Sequence, residues 1–107
     1  MNHFLHTASI NEITEHSNKE PVLIFKHSLT CPISADAYKR IVEGLEKGLI
    51  PYPTYIVIVQ NERDLSNTIA EKLGVIHQSP QLILIKDEKA IYDESHHNIQ
   101  VSNTPKI

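Results

Sequence analysis

Two short stretches of this chain are apolar at every position. Val22-Leu23-Ile24-Phe25 shows no alternation of polar and apolar residues, so Val22 to Lys26 reads as a strand covered on both faces, as parallel strands flanked by helices are. Tyr55-Ile56-Val57-Ile58-Val59 reads as a second strand whose β-branched run is expected in a sheet centre. Between them, Ile33, Ala37, Ile41 and Leu45 recur every four residues, with Tyr38, Val42 and Leu49 beside them, which is one stripe of a helix. A strand, a helix and a second strand in this order predict a parallel pair joined by a right-handed crossover.

The remaining segments extend the same pattern. Ser9-Ile10-Asn11-Glu12 resembles a capping box opening a short helix that runs to Asn18, and Pro21 ends it. Glu43 and Lys47 form an i,i+4 pair on the polar side of the second helix, Gly48 is a suitable stop, and Pro51 and Pro53 forbid helix directly afterwards. Leu65, Ile69 and Leu73, with Ala70 beside them, predict a third helix over 61–73 closed by Gly74. Leu82-Ile83-Leu84-Ile85 is a third apolar strand. After the polar turn Asp87-Glu88-Lys89, a fourth, mixed-polarity strand beginning at Ala90-Ile91-Tyr92 should pair antiparallel with the third and form a sheet edge. Residues 96–107 show too little apolar periodicity to assign. The expected class is α/β, a small central mixed sheet flanked by helices, in one domain spanning 1–107, long enough for a modest core without staples.

Charge and hydropathy narrow the function. Ten Lys and Arg against thirteen Asp and Glu give a net charge of −3, which supplies no basic field for nucleic acid or anionic lipid. No apolar run approaches the roughly 20 residues of a membrane span, and Met-Asn-His-Phe-Leu-His does not read as a secretory leader. A single cysteine without an export signal suits a reducing cytoplasm.

That cysteine is the chemical feature. Cys31 lies between the first strand and the second helix, in Ser28-Leu29-Thr30-Cys31-Pro32-Ile33-Ser34. A thiol at a helix mouth faces the unpaired N–H groups and the positive end of the dipole, which favour the thiolate nucleophile. Pro32 fits the first helical position, where its missing N–H costs nothing. Ser34 stands where a second cysteine would complete C-x-x-C, so any redox cycle must take its second thiol from another molecule. Thr30 and Ser34 could donate hydrogen bonds to the sulfur or could serve only as turn and helix-start residues. Lys26 and His27 precede the loop, and strand alternation sends them to opposite faces, so at most one of them can add charge near Cys31. The alternative for Cys31 is the ordinary fate of a free cysteine, a small buried hydrophobe.

The strand-loop-Cys31-Pro32-Ile33-Ser34-helix unit, together with Ala70-Glu71-Lys72-Leu73-Gly74-Val75, Pro80 and Leu82-Ile83-Leu84-Ile85-Lys86, resembles a thioredoxin fold. Within that superfamily, Thr30-Cys31-Pro32-Ile33-Ser34 resembles the active-site motif of the monothiol bacilliredoxins of the YtxJ type. The resemblance implies a cytoplasmic protein that exchanges thiols with S-bacillithiolated proteins, with bacillithiol as the low-molecular-weight thiol and no metal. It further implies a cis Pro80 facing Cys31, a Ser79 backbone available to a bound peptide or cofactor, and a short C-terminal helix. The nearest lysine to the cysteine is Lys26, and residues 86–99 contain no glycine. The lysine and Gly-Gly turn with which glutaredoxins seat glutathione are therefore missing. Pro32 also replaces the glycine of the iron–sulfur glutaredoxin motif Cys-Gly-Phe-Ser.

Two function classes use the same cysteine. One is an oxidoreductase that removes a small thiol from proteins; the other is a thioredoxin-fold binding module or thiol-capped redox sensor without turnover. The seven histidines, His77 and His96-His97 among them, invite a metal site, but adjacent histidines on an extended segment point apart and no cysteine or carboxylate spacing completes a ligand set.

Overall fold

The computed structural model describes residues 3–107. In chain order it contains α1 (Ile10–Lys19), β1 (Val22–His27), α2 (Pro32–Glu46), β2 (Thr54–Ile58), α3 (Arg63–Leu73), β3 (Gln81–Lys86) and β4 (Lys89–Ser95), followed by two 3₁₀ turns, His96–Asn98 and Val101–Asn103. The four strands form one sheet in the order β2-β1-β3-β4, with β1 parallel to β2 and antiparallel to β3, and β4 antiparallel to β3. This is the mixed sheet with a terminal hairpin that the apolar runs predict, but β2, whose β-branched run suits a sheet centre, lies at the border instead, where Leu5 covers part of its outer side.

Strand alternation divides the core into two layers. Leu23, Phe25, Ile56, Leu82 and Leu84 face α2, where Ala37 and Ile41 of the helical stripe are fully buried against them. Val22, Ile24, Val57, Ile83 and Ile85 face the other way and pack on Ile13 of α1 and on Leu65 and Ile69 of α3. Both faces of β1 and β3 are covered, so their residues could be apolar without interruption. Burying each aliphatic side chain contributes about 1.5–3 kcal/mol, so β1 and β3 carry much of the stability.

The helix ends follow the local signals. Ser9 caps α1 by accepting a hydrogen bond from the Glu12 N–H at 3.4 Å. Gly48 and Gly74 close α2 and α3 with φ of 70° and 66°, the left-handed conformation that costs glycine least. Leu49 lies beyond the end of α2 and is exposed rather than part of its stripe.

Two segments differ from the sequence expectation. Residues 96–103 form two 3₁₀ turns where the resemblance implies a C-terminal helix. They bury Ile99 against the α2-facing layer, and the Arg40 Nε–H holds the Ile99 carbonyl at 2.8 Å. The polar residues around Ile99 leave no apolar stripe for a longer helix to bury. Before α1, Leu5 pairs with β2 in parallel: its N–H donates to the Thr54 carbonyl at 2.8 Å, and its carbonyl accepts from the Ile56 N–H at 3.0 Å. Phe4 is buried beside it, stacked on Phe25 and Tyr38.

Candidate active site

The sheet register gathers the candidate residues at one end of the molecule. Lys26 pairs with Gln81 and His27 with Ile58, while Gln81 pairs in turn with Ser95. The loops that leave β1 and β2, enter β3 and follow β4 therefore share that end. Cys31, Gln60, Ser79-Pro80 and His96 sit on these loops. The Ser79–Pro80 peptide bond is cis, as the resemblance implies, and the Pro80 carbonyl accepts from the His96 N–H at 3.1 Å.

Cys31 occupies the cap position of α2 in extended conformation, φ −105° and ψ 119°, with Pro32 as the first helical residue. Its carbonyl begins the helical ladder by accepting from the Ala35 N–H at 3.0 Å, and its side chain makes no capping bond. The residue is half-buried, neither sealed in the core nor fully solvated.

Thr30, Pro32 and Ser34 flank the thiol in different ways. Pro32 and Thr30 are exposed, whereas Ser34 is completely buried. The Ser34 Oγ lies 2.7 Å from His27 Nδ1 and accepts from the Ser28 N–H at 2.9 Å. The side chain thus ties the first turn of α2 to the end of β1, a structural task that the C-x-x-C comparison does not suggest.

His27 is itself held in a ring stack between Phe25 and Tyr38, with centroids 5.5 Å and 5.0 Å away. Burial lowers its pKa from 6.5, so the neutral imidazole is favoured there. Lys26 points to the opposite face, as alternation requires, and is fully buried. Its Nζ donates to the Ser66 carbonyl at 3.0 Å and to His77 Nδ1 at 3.2 Å. Desolvation lowers its pKa from 10.5 to about 8.

Gln60 is the site residue that sequence reasoning passes over. From the turn after β2 its amide accepts from the Leu29 N–H at 3.0 Å and donates to Ser28 Oγ at 2.8 Å and Thr30 Oγ1 at 3.3 Å. One side chain therefore bonds three successive residues of the loop that leads to Cys31. No periodicity or motif marks it, because the β2–α3 turn meets that loop only once the parallel pair has formed. Next to the same loop, a cavity of about 430 Å³ is lined by His27, Leu29, Tyr38, Val42 and Ile58, among others. Among the described residues, no three His, Cys, Asp or Glu side chains gather where they could hold a metal ion, and His77 is engaged by Lys26 instead. No helix is long and apolar enough to cross a membrane among those residues.

A free, half-buried thiol at a helix mouth, a loop clasped from a neighbouring turn and a proline-led strand at the same sheet end are suited to thiol–disulfide exchange with an outside partner. Comparison with known proteins agrees. A solved structure described as a candidate oxidoreductase with a thioredoxin fold is 35% identical over 94% of this chain and 88% of its own, with a TM-score of 0.80. The oxidised thioredoxin of Plasmodium falciparum aligns over 90% of this chain and 88% of its own at 16% identity and a TM-score of 0.66. The thioredoxin of Fasciola hepatica covers 92% and 89% at 19% identity and a TM-score of 0.65. These two share the fold. The family model described as monothiol bacilliredoxin BrxC matches residues 3–104, nearly the whole chain, and the protein therefore belongs to the monothiol bacilliredoxin family.

Proposed function

We propose that this protein removes bacillithiol from S-bacillithiolated proteins in the cytoplasm, with Cys31 as the sole reacting thiol. The observation that carries this reading is a single half-buried cysteine at the mouth of α2 in a member of the bacilliredoxin family, with a buried serine where a second thiol would stand.

In the first step the Cys31 thiolate attacks the bacillithiol sulfur of the mixed disulfide. The old S–S bond breaks, the substrate cysteine leaves as a thiolate that takes a proton from water, and Cys31 retains bacillithiol in a new disulfide. A free bacillithiol thiolate then attacks the bacillithiol sulfur on Cys31, releasing bacillithiol disulfide and restoring the Cys31 thiolate. No net oxidation of the protein occurs over the cycle. The Ser79 backbone before Pro80 supplies N–H and C=O groups of the kind that pair with an extended substrate segment, while Thr30 and Pro32 are the exposed neighbours of the cysteine.

The decisive experiment presents a bacillithiolated protein to the purified chain with free bacillithiol. Repeated release of reduced substrate is expected from the natural protein and none from Cys31→Ala. Discharge of the Cys31 adduct should be faster with bacillithiol than with glutathione. A single modification of Cys31 without turnover would instead identify a sensor, and equal discharge by the two thiols would remove the case for a dedicated bacillithiol site.

A further inference from the structure

We propose that Lys26 and His77 act together as positioning residues, holding the segment 76–79 in the shape that a protein substrate meets at Pro80. The inference rests on the proposed function only in that this segment faces substrate.

The segment bridges α3 and β3, and its side of the sheet end is built from unusual parts. Lys26 has no solvent exposure, yet no carboxylate pairs with it among the described residues. An unpaired buried ammonium is costly, and a core position needs only an apolar side chain of similar volume. What the ammonium adds is two directed hydrogen bonds, one to the Ser66 carbonyl in α3 and one to His77 Nδ1 in the connecting segment. Its cross-strand neighbour Gln81, equally buried, takes up the same segment: Oε1 accepts from the Gln78 N–H at 3.4 Å and Nε2 donates to the Ile76 carbonyl at 3.0 Å. Residues 76, 77 and 78 are thus each bound by a side chain from the paired ends of β1 and β3. The following residues are Ser79 and the cis-bonded Pro80.

The protonation states follow from the donors. An ammonium can only donate, so His77 Nδ1 must accept, and the imidazole is neutral with its proton on Nε2. Ser66 Oγ, 3.3 Å away, is a second donor within reach of the same nitrogen. The charged groups acting on His77 are Lys26 from β1 and Arg63 from α3, both positive; the neighbour from β3, Gln81, is neutral. Desolvation first, and then these two cations, lower the His77 pKa from 6.5. Protonating His77 turns its acceptor into a donor and sets two cations against each other, which unfastens the segment.

The test uses His77→Ala, His77→Asn and Lys26→Met in the full-length protein. His77 is exposed, so its replacements leave the core intact, and asparagine places an amide oxygen near the position of Nδ1 without a titrating group. Loss of the bond in His77→Ala should raise KM for a bacillithiolated protein about three- to tenfold, the cost of one hydrogen bond, with kcat nearly unchanged. His77→Asn should restore KM. Lowering the pH below 6.5 should raise KM in the natural protein but not in His77→Asn. Amide exchange at residues 76–79 should accelerate in both His77→Ala and Lys26→Met, a readout that needs no substrate. Unchanged exchange in both variants, an unaltered KM in His77→Ala, or failure of His77→Asn to restore it would overturn the proposal. Absence of turnover in the natural protein would refute the substrate assignment, and the exchange rates would still decide whether the two residues hold the segment.

Discussion

Replacing Lys26 by methionine should abolish a specific alkaline dependence of stability. The Lys26 ammonium is fully buried, and desolvation lowers its pKa from 10.5 to about 8. Each unit of difference between folded and unfolded states corresponds to about 1.4 kcal/mol, so the folded protein disfavours the charged form by about 3 kcal/mol. Below pH 8 both states hold the proton and this cost is present in full. Between pH 8 and 10.5 the unfolded chain binds a proton that the folded chain has released. Stability then rises with pH by up to about 1.4 kcal/mol per unit from this group alone. Methionine is unbranched, flexible and uncharged, and the Ser66 carbonyl retains its place in the α3 ladder, so the substitution leaves no carbonyl orphaned there. Urea unfolding of both proteins under reducing conditions, from neutral pH to 10.5, isolates the effect, because all other groups titrate in both. The stability of Lys26→Met relative to the natural protein should fall by about 3 kcal/mol over that window. Parallel profiles would refute the argument that Lys26 is buried as an unpaired cation.

Ser34→Ala should retain most of the Cys31 turnover but lower stability by about 1–3 kcal/mol, because it leaves the Ser28 N–H and His27 Nδ1 without their shared partner; thermal melts beside turnover assays separate the two effects. Gln60→Ala should accelerate amide exchange at Leu29 about tenfold and increase the spread of alkylation rates at Cys31 across reagents of different size, since it removes three bonds to the loop. Tyr52→Phe should cost about 1 kcal/mol and hasten proteolysis after Asn103, because the Tyr52 hydroxyl donates to the Pro105 carbonyl at 2.6 Å and accepts from the Ile107 N–H at 3.1 Å.

The parts of this fold that could be read directly are those whose pattern is local. The runs at 22–25, 55–59 and 82–85, the stripe from Ile33 to Leu45 and the glycine stops each state their own geometry, and β1 to β4 follow from them in order. Cys31 is equally legible, because its neighbours alone place it at a helix mouth. Other features depend on contacts between distant segments. Lys26 could be assigned a face but not a partner, since His77 lies fifty-one positions on and in a segment without periodicity. Ser34 reads as a relic of a missing cysteine, whereas its hydroxyl fastens α2 to β1. The 3₁₀ turns after β4 escaped because a single buried residue, Ile99, anchors them, and one residue makes no period.

The pairing of Leu5 with β2 bears on how copies of this chain avoid one another. β2 holds the densest β-forming run in the sequence and lies at the border of the sheet, where its free backbone groups would invite a strand from another molecule. Leu5 takes up the Thr54 carbonyl and the Ile56 N–H, and Phe4 anchors it by burial under Tyr38 and against Phe25. The opposite border, β4, exposes Lys89, Ile91 and Asp93 and has an irregular register beside Leu84 and Ile85. One border is therefore shielded by the chain itself and the other by two exposed charges and a break in its register. Phe4, which also lines the cavity beside the Cys31 loop, and Leu5 belong to the apparatus that keeps the protein from polymerising edge to edge.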